Sequence, residues 1–326
     1  MMTILIFALM FHVMSPDTSQ QKPVTEIPGE KGTLYHIKAL DSSNAFIVGK
    51  PSVLLRTTNG GALWKQVRLP DSPHELYGIN FYKSRLGLIA GQHGIIYRTT
   101  DGGSHWKVYQ TQTNVNLVGI QFLSASTAFI AGFSGTVLKT TDGGITWRPR
   151  PTGVQDNLWS FSFPTSTVGW VVGASGRILK TTDGGEHWLN VTSRTSTFFF
   201  DVRFLTPELG WVCGGYGTIL KTTDGGMTWT KQHVKMGTGS NLSSEFQYSL
   251  SFSDTLHGWV CGTAGSLLVT HNGGDRFDNV RTAKATTFFS IDFVGPVNGW
   301  IVGANGTILK TSNGGTSWTD QSMNIR

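Results

Sequence analysis

The chain has 326 residues, of which 39% are hydrophobic and 14% charged, and its formal net charge is +6. This composition excludes a disordered or charge-rich chain, and its 41 glycines and 11 tryptophans suit closely stacked sheets. No linker or low-complexity block interrupts residues 33–319. We therefore expect one compact domain, despite a length that would also suit two.

The first 14 residues are apolar, but this stretch is shorter than a transmembrane helix requires. We interpret residues 1–21 as a secretory leader with a short polar linker, and residues 22–326 as the folded domain. An uncleaved membrane anchor and a misplaced start are the alternatives, whereas the lack of a following cysteine excludes a lipoprotein anchor. The leader predicts an exported protein in a periplasm or the extracellular space, and the apolar segment could hold it at a membrane.

From Thr57 onward, one eight-residue segment recurs seven times, and its fullest copy spans residues 140–147. Neighbouring copies lie 41 or 42 residues apart, except for a 48-residue step between the fifth and sixth, where we expect a small insertion. A period near 40 to 45 residues is typical of a four-stranded propeller blade. Each copy carries an Asp or Asn followed by two glycines, at Asn59, Asp101, Asp142, Asp183, Asp224, Asn272 and Asn313.

Two further patterns keep the same period. A short apolar run closed by glycine precedes each segment, as in residues 170–173, and an alternating run lies upstream of it, as in residues 159–163. Alternation with period two predicts strands. We therefore predict an all-β fold, a seven-bladed β-propeller with four-stranded antiparallel blades and the Asp or Asn turn in the hairpin between strands 3 and 4. Residues 22–28 could add a strand that helps to close the ring.

The repeated turn has a physical explanation of its own. An Asp or Asn side chain can accept hydrogen bonds from the backbone of such a turn, and glycine adopts the positive φ that the reversal needs. The aromatic residue that ends each copy would fill the space beneath the turn. Because seven equivalent copies cannot all be one active site, we interpret these residues as structural.

Basic residues fall into two groups. One group is periodic on the third strands, is interrupted only by Val269, and comprises Arg56, Arg98, Lys139, Lys180, Lys221 and Lys310. We interpret these as side chains whose aliphatic stems cover the protein surface while their charged ends are solvated. The alternative is a ring of positive charge that encircles the propeller. The others are expected in segments that join one blade to the next, on the face opposite the Asp turns. The turns between strands 2 and 3 add His93, Phe133 and Tyr216 to that face. Arginine and aromatic residues on irregular loops favour a protein-binding patch, formed with Arg148, Arg150, Arg194, Arg281 and Lys284.

Catalytic and metal-binding patterns are lacking in the sequence. A glycosidase needs two facing carboxylates, and the best acid candidates, Glu245, Asp201 and Asp292, are more simply explained as polar structural residues. Cys213 and Cys261 occupy one repeat position and are expected to be buried thiols too far apart for a disulfide. The nine histidines are scattered over different repeat positions, and no glycine-rich phosphate loop precedes a helix. We predict no catalytic residues, cofactor or metal, and no nucleic-acid partner.

The repeat at residues 169–188, found again at 210–229 and 299–318, resembles that of the photosystem II stability and assembly factor family. The resemblance covers residues 33–318 and implies a seven-bladed, non-enzymatic propeller that binds newly made reaction-centre subunits. The family is found in the thylakoid lumen and in many bacteria. Its arginine-rich binding surface lies outside the repeat, so no residue of it is carried over.

From this resemblance we predict a monomeric, non-enzymatic propeller that binds a protein partner and assists assembly of a membrane complex. Turns of this kind, known as Asp boxes, also resemble those of sialidases. A carbohydrate-binding or glycosidase-like propeller is therefore the alternative, although no Arg-Ile-Pro sequence occurs and seven units rather than six are present. A third possibility is a scaffold that packs against an exported multi-protein machine.

Overall fold

The computed structural model describes residues 32–70, 74–235, 245–280, 282 and 284–325. Seven sheets follow one another along the chain, and in each sheet four consecutive strands pair antiparallel in sequence order. The predicted seven-bladed β-propeller with four-stranded blades is therefore confirmed.

The strands of the first four blades have the following bounds. Blades 1 and 2 contain β1 (Thr33–Ala39), β2 (Ala45–Lys50), β3 (Val53–Thr57), β4 (Lys65–Gln66), β5 (Leu76–Tyr82), β6 (Leu86–Gly91), β7 (Ile95–Thr99) and β8 (Lys107–Gln110). Blades 3 and 4 contain β9 (Leu117–Phe122), β10 (Ala128–Gly132), β11 (Val137–Thr140), β12 (Arg148–Pro149), β13 (Leu158–Ser162), β14 (Gly169–Gly173), β15 (Ile178–Thr181) and β16 (Leu189–Val191).

The remaining blades repeat this order. Blades 5 and 6 contain β17 (Phe199–Phe204), β18 (Gly210–Gly214), β19 (Ile219–Thr222), β20 (Thr230–Lys231), β21 (His233–Lys235), β22 (Gln247–Phe252), β23 (Gly258–Gly262), β24 (Leu267–Thr270) and β25 (Arg276–Asn279). Blade 7 contains β26 (Phe288–Val294), β27 (Asn298–Gly303), β28 (Ile308–Thr311) and β29 (Thr319–Asp320). Short 3-10 turns join second to third strands at Gln92–Gly94, Ala174–Gly176, Thr263–Gly265 and Ala304–Gly306.

Strand β21 is an addition that the repeat did not predict. It lies in the long step between the fifth and sixth Asp turns and pairs in parallel with β25, His233 opposite Arg276. Blade 6 thereby gains a fifth strand on its outer edge. The predicted insertion is thus used, at its start, to cover the outer edge of the following blade.

The first strand of each blade is the innermost. Each first strand contacts the first strand of the next blade, and β26 of blade 7 contacts β1 of blade 1. Side chains that alternate along these strands pack against the blades on either side, and a separate hydrophobic cluster fills each seam between neighbours. The core of the protein is therefore a ring of seven interfaces between blades.

Close packing of aromatic rings explains the repeated Gly-Trp pair on the second strands. Trp170 of blade 4 stacks on Phe204 of blade 5, with ring centroids 3.5 Å apart. The same Phe204 ring lies against Gly210, where an added Cβ atom would stand only 2.5 Å from it. Glycine before the tryptophan therefore leaves the room that the aromatic ring of the first strand needs.

The two ends of the described chain meet at the seam between blades 7 and 1. The Gly306 backbone N–H donates to the Gly32 carbonyl at 2.7 Å, and the Trp64 N–H donates to the Asn324 carbonyl at 2.8 Å. Strand β29 remains in blade 7, and blade 1 is built from β1–β4 alone. Residues 22–28, considered as a closing strand, lie outside the described residues. In the described ranges, the structure contains no helix with the length and apolar character of a membrane span.

Candidate functional site

The repeated Asp or Asn organises its turn through hydrogen bonds. In blade 3, Thr140 Oγ1 donates to Asp142 Oδ1 at 2.7 Å and accepts the Gly144 N–H at 3.0 Å. The same Asp142 oxygen accepts the backbone N–H of Thr146 at 2.9 Å. Partial burial raises the pKa of Asp142, but the hydrogen bonds from Thr146 and Thr140 outweigh it and lower the pKa to about 2. The equivalent Thr-to-Asx bond is present in all seven copies.

These turns lie on one face of the ring. Each connects the third to the fourth strand of its blade, and its first glycine N–H donates to the turn between strands 1 and 2, as Gly143 does to the Ser126 carbonyl at 2.8 Å. We call this the box face. The turns between strands 2 and 3 and the segments that join blades lie at the opposite ends of the strands. We call that side the loop face.

The periodic basic residues bridge neighbouring blades. Lys180 Nζ of blade 4 donates to the Gly225 carbonyl in the Asp turn of blade 5 at 2.8 Å, and it stands 5.1 Å from the centroid of the Trp170 ring. Arg98, Lys139 and Lys310 make the equivalent bond to a glycine carbonyl in the Asp turn of the next blade, and Lys221 bonds to a side chain of that turn. The interpretation of these residues as stems with solvated charges is wrong, because these charged groups are hydrogen-bonded across the seams.

In two blades, the indole N–H of a tryptophan bonds to the glycine carbonyl in the Asp turn of the next blade. The basic residue of that blade then bonds elsewhere or is absent. Trp211 Nε1 donates to the Gly273 carbonyl at 3.1 Å, and Lys221 turns instead to Asp275 at 2.6 Å. Trp259 Nε1 donates to the Gly314 carbonyl at 2.9 Å, in the blade where Val269 takes the basic position. The gap in the basic series is therefore filled by an indole N–H.

The predicted turn residues lie on the loop face. His93 and Tyr216 are exposed and adopt left-handed φ values of 54° and 57°, and the Tyr216 side chain is 50% exposed. Phe133 is half-buried in the corresponding turn of blade 3. Gly94, which follows His93, donates its N–H to the Val115 carbonyl at 2.8 Å. Turn and connecting segment therefore share one surface.

Two of the predicted basic residues also lie in connecting segments. Arg194 follows β16, is exposed and has a φ of 57°. Lys284 precedes β26 and forms an ion pair with Asp320 at 2.6 Å. Arg281 lies outside the described residues. Unlike Lys284, Arg194 forms no ion pair in the described structure.

The predicted placement of Arg148 in a connecting segment is wrong, whereas Arg150 does lie in the segment that follows β12. Arg148 lies in the outer strand β12, opposite Lys139. Arg150 Nε forms an ion pair at 3.1 Å with Glu186, a residue of the Asp turn of blade 4. Arg148 lies on the outer wall because the fourth strand begins directly after Trp147, and the ion pair with Glu186 draws the charge of Arg150 to the Asp turn of blade 4. The loop face therefore carries less positive charge than the sequence suggested.

Two of the three acid candidates, Asp201 and Asp292, are structural in their contacts. Asp201 accepts the Ser160 hydroxyl at 2.6 Å and the Leu250 N–H at 3.0 Å, and burial raises its pKa. Asp292 accepts the Lys38 ammonium at 2.8 Å and the Ala39 N–H at 2.9 Å. Each carboxylate thus binds an edge N–H of the neighbouring first strand, which protects an otherwise open strand edge. Partial burial likewise raises the pKa of Glu245.

Neither thiol chemistry nor a metal site emerges from the described residues. Cys213 and Cys261 are free and fully buried, in the clusters of two different seams. Burial raises the pKa of both thiols. Among the residues that the structure describes, no group of three or more His, Cys, Asp or Glu side chains could hold a metal ion.

Sequence reasoning missed an aromatic collar at the loop-face end of the innermost strands. In each first strand, one residue pairs with the closing glycine of the second strand, and the residue after it is aromatic in every blade except blade 3, which has Val118. The aromatic residues are Tyr35, Tyr77, Trp159, Phe200, Tyr248 and Phe289. Neighbouring rings touch, from Tyr35 to Tyr77 at 5.5 Å and from Phe200 to Tyr248 at 4.9 Å between centroids. Aligning the first strands of the repeats would have revealed the pattern.

This combination of seven four-stranded blades, an Asp turn in each outer hairpin and irregular turns on the opposite face defines an Asp-box β-propeller. The family model described as photosynthesis system II assembly factor YCF48 matches residues 17–113, 103–196 and 187–285. The chain therefore belongs to the YCF48 assembly factor family. No curated protein sequence matches it.

Solved structures share the fold. A structure described as YCF48 bound to D1 peptide is 22% identical, with a TM-score of 0.71 over 87% of this chain and 93% of that one. YCF48 from Cyanidioschyzon merolae is 19% identical, with a TM-score of 0.71 over 88% and 97%. A virginiamycin B lyase from Staphylococcus aureus is 13% identical, with a TM-score of 0.73 over 88% and 97%. At these identities the likeness shows the propeller fold.

Proposed function

We propose that this protein is a non-enzymatic assembly factor that binds a protein subunit during the assembly of a membrane complex. The match of the YCF48 family model along residues 17–285 carries this proposal. A similar propeller has been solved with a D1 peptide, and a subunit of a photosystem II type complex is accordingly the partner class that we propose here. The protein acts as a monomer, without cofactor or metal, after export to the periplasm or a thylakoid lumen.

The loop face is the surface proposed to bind the partner. His93, Arg194 and Tyr216 project from turns whose backbone is held by neighbouring segments, as Gly217 is by its hydrogen bond to the Glu245 carbonyl at 2.8 Å. Exposed aromatic and basic side chains on a rigid scaffold are enriched in binding surfaces. Binding there leaves the seams between blades undisturbed.

A pull-down from native membranes tests this assignment. The triple variant His93→Ala, Arg194→Glu, Tyr216→Ala should lose partner capture while its melting temperature stays within a few degrees of the wild type, because exposed side chains usually contribute under about 0.5 kcal/mol each. Arg148→Glu is the matched control, since it reverses an exposed arginine on the outer wall. Equal capture by the triple variant and the wild type would refute the loop face as the binding surface.

The glycosidase alternative is tested on the same preparation. Incubation with a glycan panel should release no sugar, because Asp201 and Asp292 already bind serine, lysine and backbone groups of neighbouring strands. Sugar release that is abolished by Glu245→Gln or Asp201→Asn would overturn the non-enzymatic proposal.

A further inference from the structure

The half-buried carboxylate of Glu75 lies within the aromatic collar. Glu75 directly precedes β5, and its Oε2 accepts the hydroxyl of Tyr77 at 3.2 Å and that of Tyr35 at 3.4 Å. Its backbone is anchored as well, since the Glu75 N–H donates to Gln92 Oε1 at 3.1 Å and its carbonyl accepts the Gln92 N–H at 3.0 Å. The carboxylate is therefore held in one position at the loop-face end of the innermost strands.

Glu75 forms no ion pair in the part of the chain that the structure describes, because all the ion pairs there involve other acidic residues. Burial and the nearby carboxylate raise the pKa of both Tyr35 and Tyr77, so both remain neutral phenols that donate to Glu75. The half-buried site thus carries one carboxylate that forms no ion pair in the described structure.

The walls of the site are aromatic faces. Tyr35 contacts Tyr77 at 5.5 Å and Phe289 at 5.8 Å, and Phe289 continues to Tyr248 at 5.4 Å between ring centroids. The ammonium group of Lys50 already stands 6.0 Å from the Tyr35 centroid, so these rings are within reach of a cation. Aromatic faces around a carboxylate are the combination that binds alkylammonium groups, because the negative ring faces and the acid act on the same charge.

We propose that the Tyr35, Tyr77, Glu75 and Phe289 cluster, which we call the collar site, receives a lysine side chain of the protein partner. This deepens and rests on the proposed partner-binding function. The long aliphatic stem of lysine would pack along the rings while its ammonium group meets Glu75. Both tyrosine hydroxyls donate to Oε2 of Glu75. Oε1 therefore remains to accept a hydrogen bond from one ammonium group. Arginine, whose planar fork binds both carboxylate oxygens, fits this arrangement less well.

Saturation-transfer NMR with N-acetyl-lysine N-methylamide tests the collar site without any partner. The wild type should bind this probe in the millimolar range, and the norleucine analogue, which lacks the ammonium group, at least about fivefold more weakly. Glu75→Gln keeps the shape of the acid and should weaken lysine binding by a similar factor, whereas Glu186→Gln on the box face should not change it. Tyr35→Leu provides a second variant that removes a ring and leaves the charge.

The outcomes are separable. Equal binding of lysine and norleucine probes, or lysine binding unaffected by Glu75→Gln and by Tyr35→Leu, would overturn the collar site. If Glu75→Gln loses the probe but still captures the native partner at the wild-type level, the assignment of the lysine to the partner is overturned while the proposed function stands. Loss of both probe binding and capture, at an unchanged melting temperature, supports the proposal.

Discussion

The seam between blades 4 and 5 offers a direct test of how the ring is held together. Replacing Lys180 by Met keeps the aliphatic stem and removes the ammonium group that bonds to Gly225 at 2.8 Å and faces Trp170 at 5.1 Å. A hydrogen bond from a charged group contributes about 1.5–3 kcal/mol and an exposed cation–π contact about 0.5–1 kcal/mol. Because Lys180 is half-exposed, solvent screening reduces the sum, and we expect a loss of about 1–2 kcal/mol.

Equilibrium urea unfolding, followed by tryptophan fluorescence and by circular dichroism, measures this loss. The matched control is Lys65→Met, which removes an exposed lysine of the outer strand β4, and it should change the free energy of unfolding by under about 0.5 kcal/mol. The midpoint of Lys180→Met should fall at an unchanged slope. If the two variants unfold at the same urea concentration, the bond between blades contributes nothing and the reasoning about the basic series is refuted.

Three other predictions concern single side chains. Trp188→Ala should lower the free energy of unfolding by about 3–5 kcal/mol, because this ring is buried against Phe129 and Phe163 in the seam between blades 3 and 4; an unchanged thermal midpoint would contradict the packing. Trp259→Phe should cost about 1 kcal/mol or more through the bond to Gly314, and unaltered urea stability would show that this indole N–H is not needed where Val269 replaces lysine. Burial lowers the pKa of His36 from 6.5 to about 4, so the unfolded chain binds this proton more readily than the folded protein does. The free energy of unfolding should therefore be highest above pH 6.5 and fall by up to roughly 3 kcal/mol as the pH falls to about 4. His36→Gln should flatten stability in that window relative to the exposed-site control His93→Gln, and a parallel pH dependence in both variants would speak against it.

The repeat made the fold predictable, because seven copies of one turn and one strand pattern leave few architectures open. Contacts between blades were harder to predict from the sequence. The partner of Lys180 lies 45 residues further along the chain, and nothing in a single repeat says that its ammonium group will reach a carbonyl rather than water. The same limitation hid the role of Trp259, which is visible only when two adjacent blades are placed side by side.

The loop face was predicted less well than the fold. Arg148 was wrongly assigned to a connecting segment because the fourth strand varies between blades in length, from two residues in β12 to four in β8. Tyr216 and His93 were placed well, since a two-residue turn between glycines has little freedom. The collar escaped notice because its aromatic residues are spaced a whole repeat apart and blade 3 interrupts them with Val118.

The contact between the two ends of the described residues has a consequence for the order of folding. Lys180 and Gly225 are 45 residues apart, whereas the equivalent pair that closes the ring, Lys310 and Gly60, is separated by 250. Bringing the latter together costs about 1.5 kcal/mol more in loop-closure entropy. Gln321 Nε2 and Asn324 Nδ2 donate to the carbonyls of Gly60 and Gly61, each at 3.0 Å, at this same seam.

Those extra bonds offset the larger entropic penalty of closure. An open arc of blades, with the innermost strands of blades 1 and 7 not yet in contact, is therefore expected to precede the closed ring during refolding. Gln321 and Asn324 act as a latch, and replacing both by alanine should slow closure more than it disturbs any individual blade.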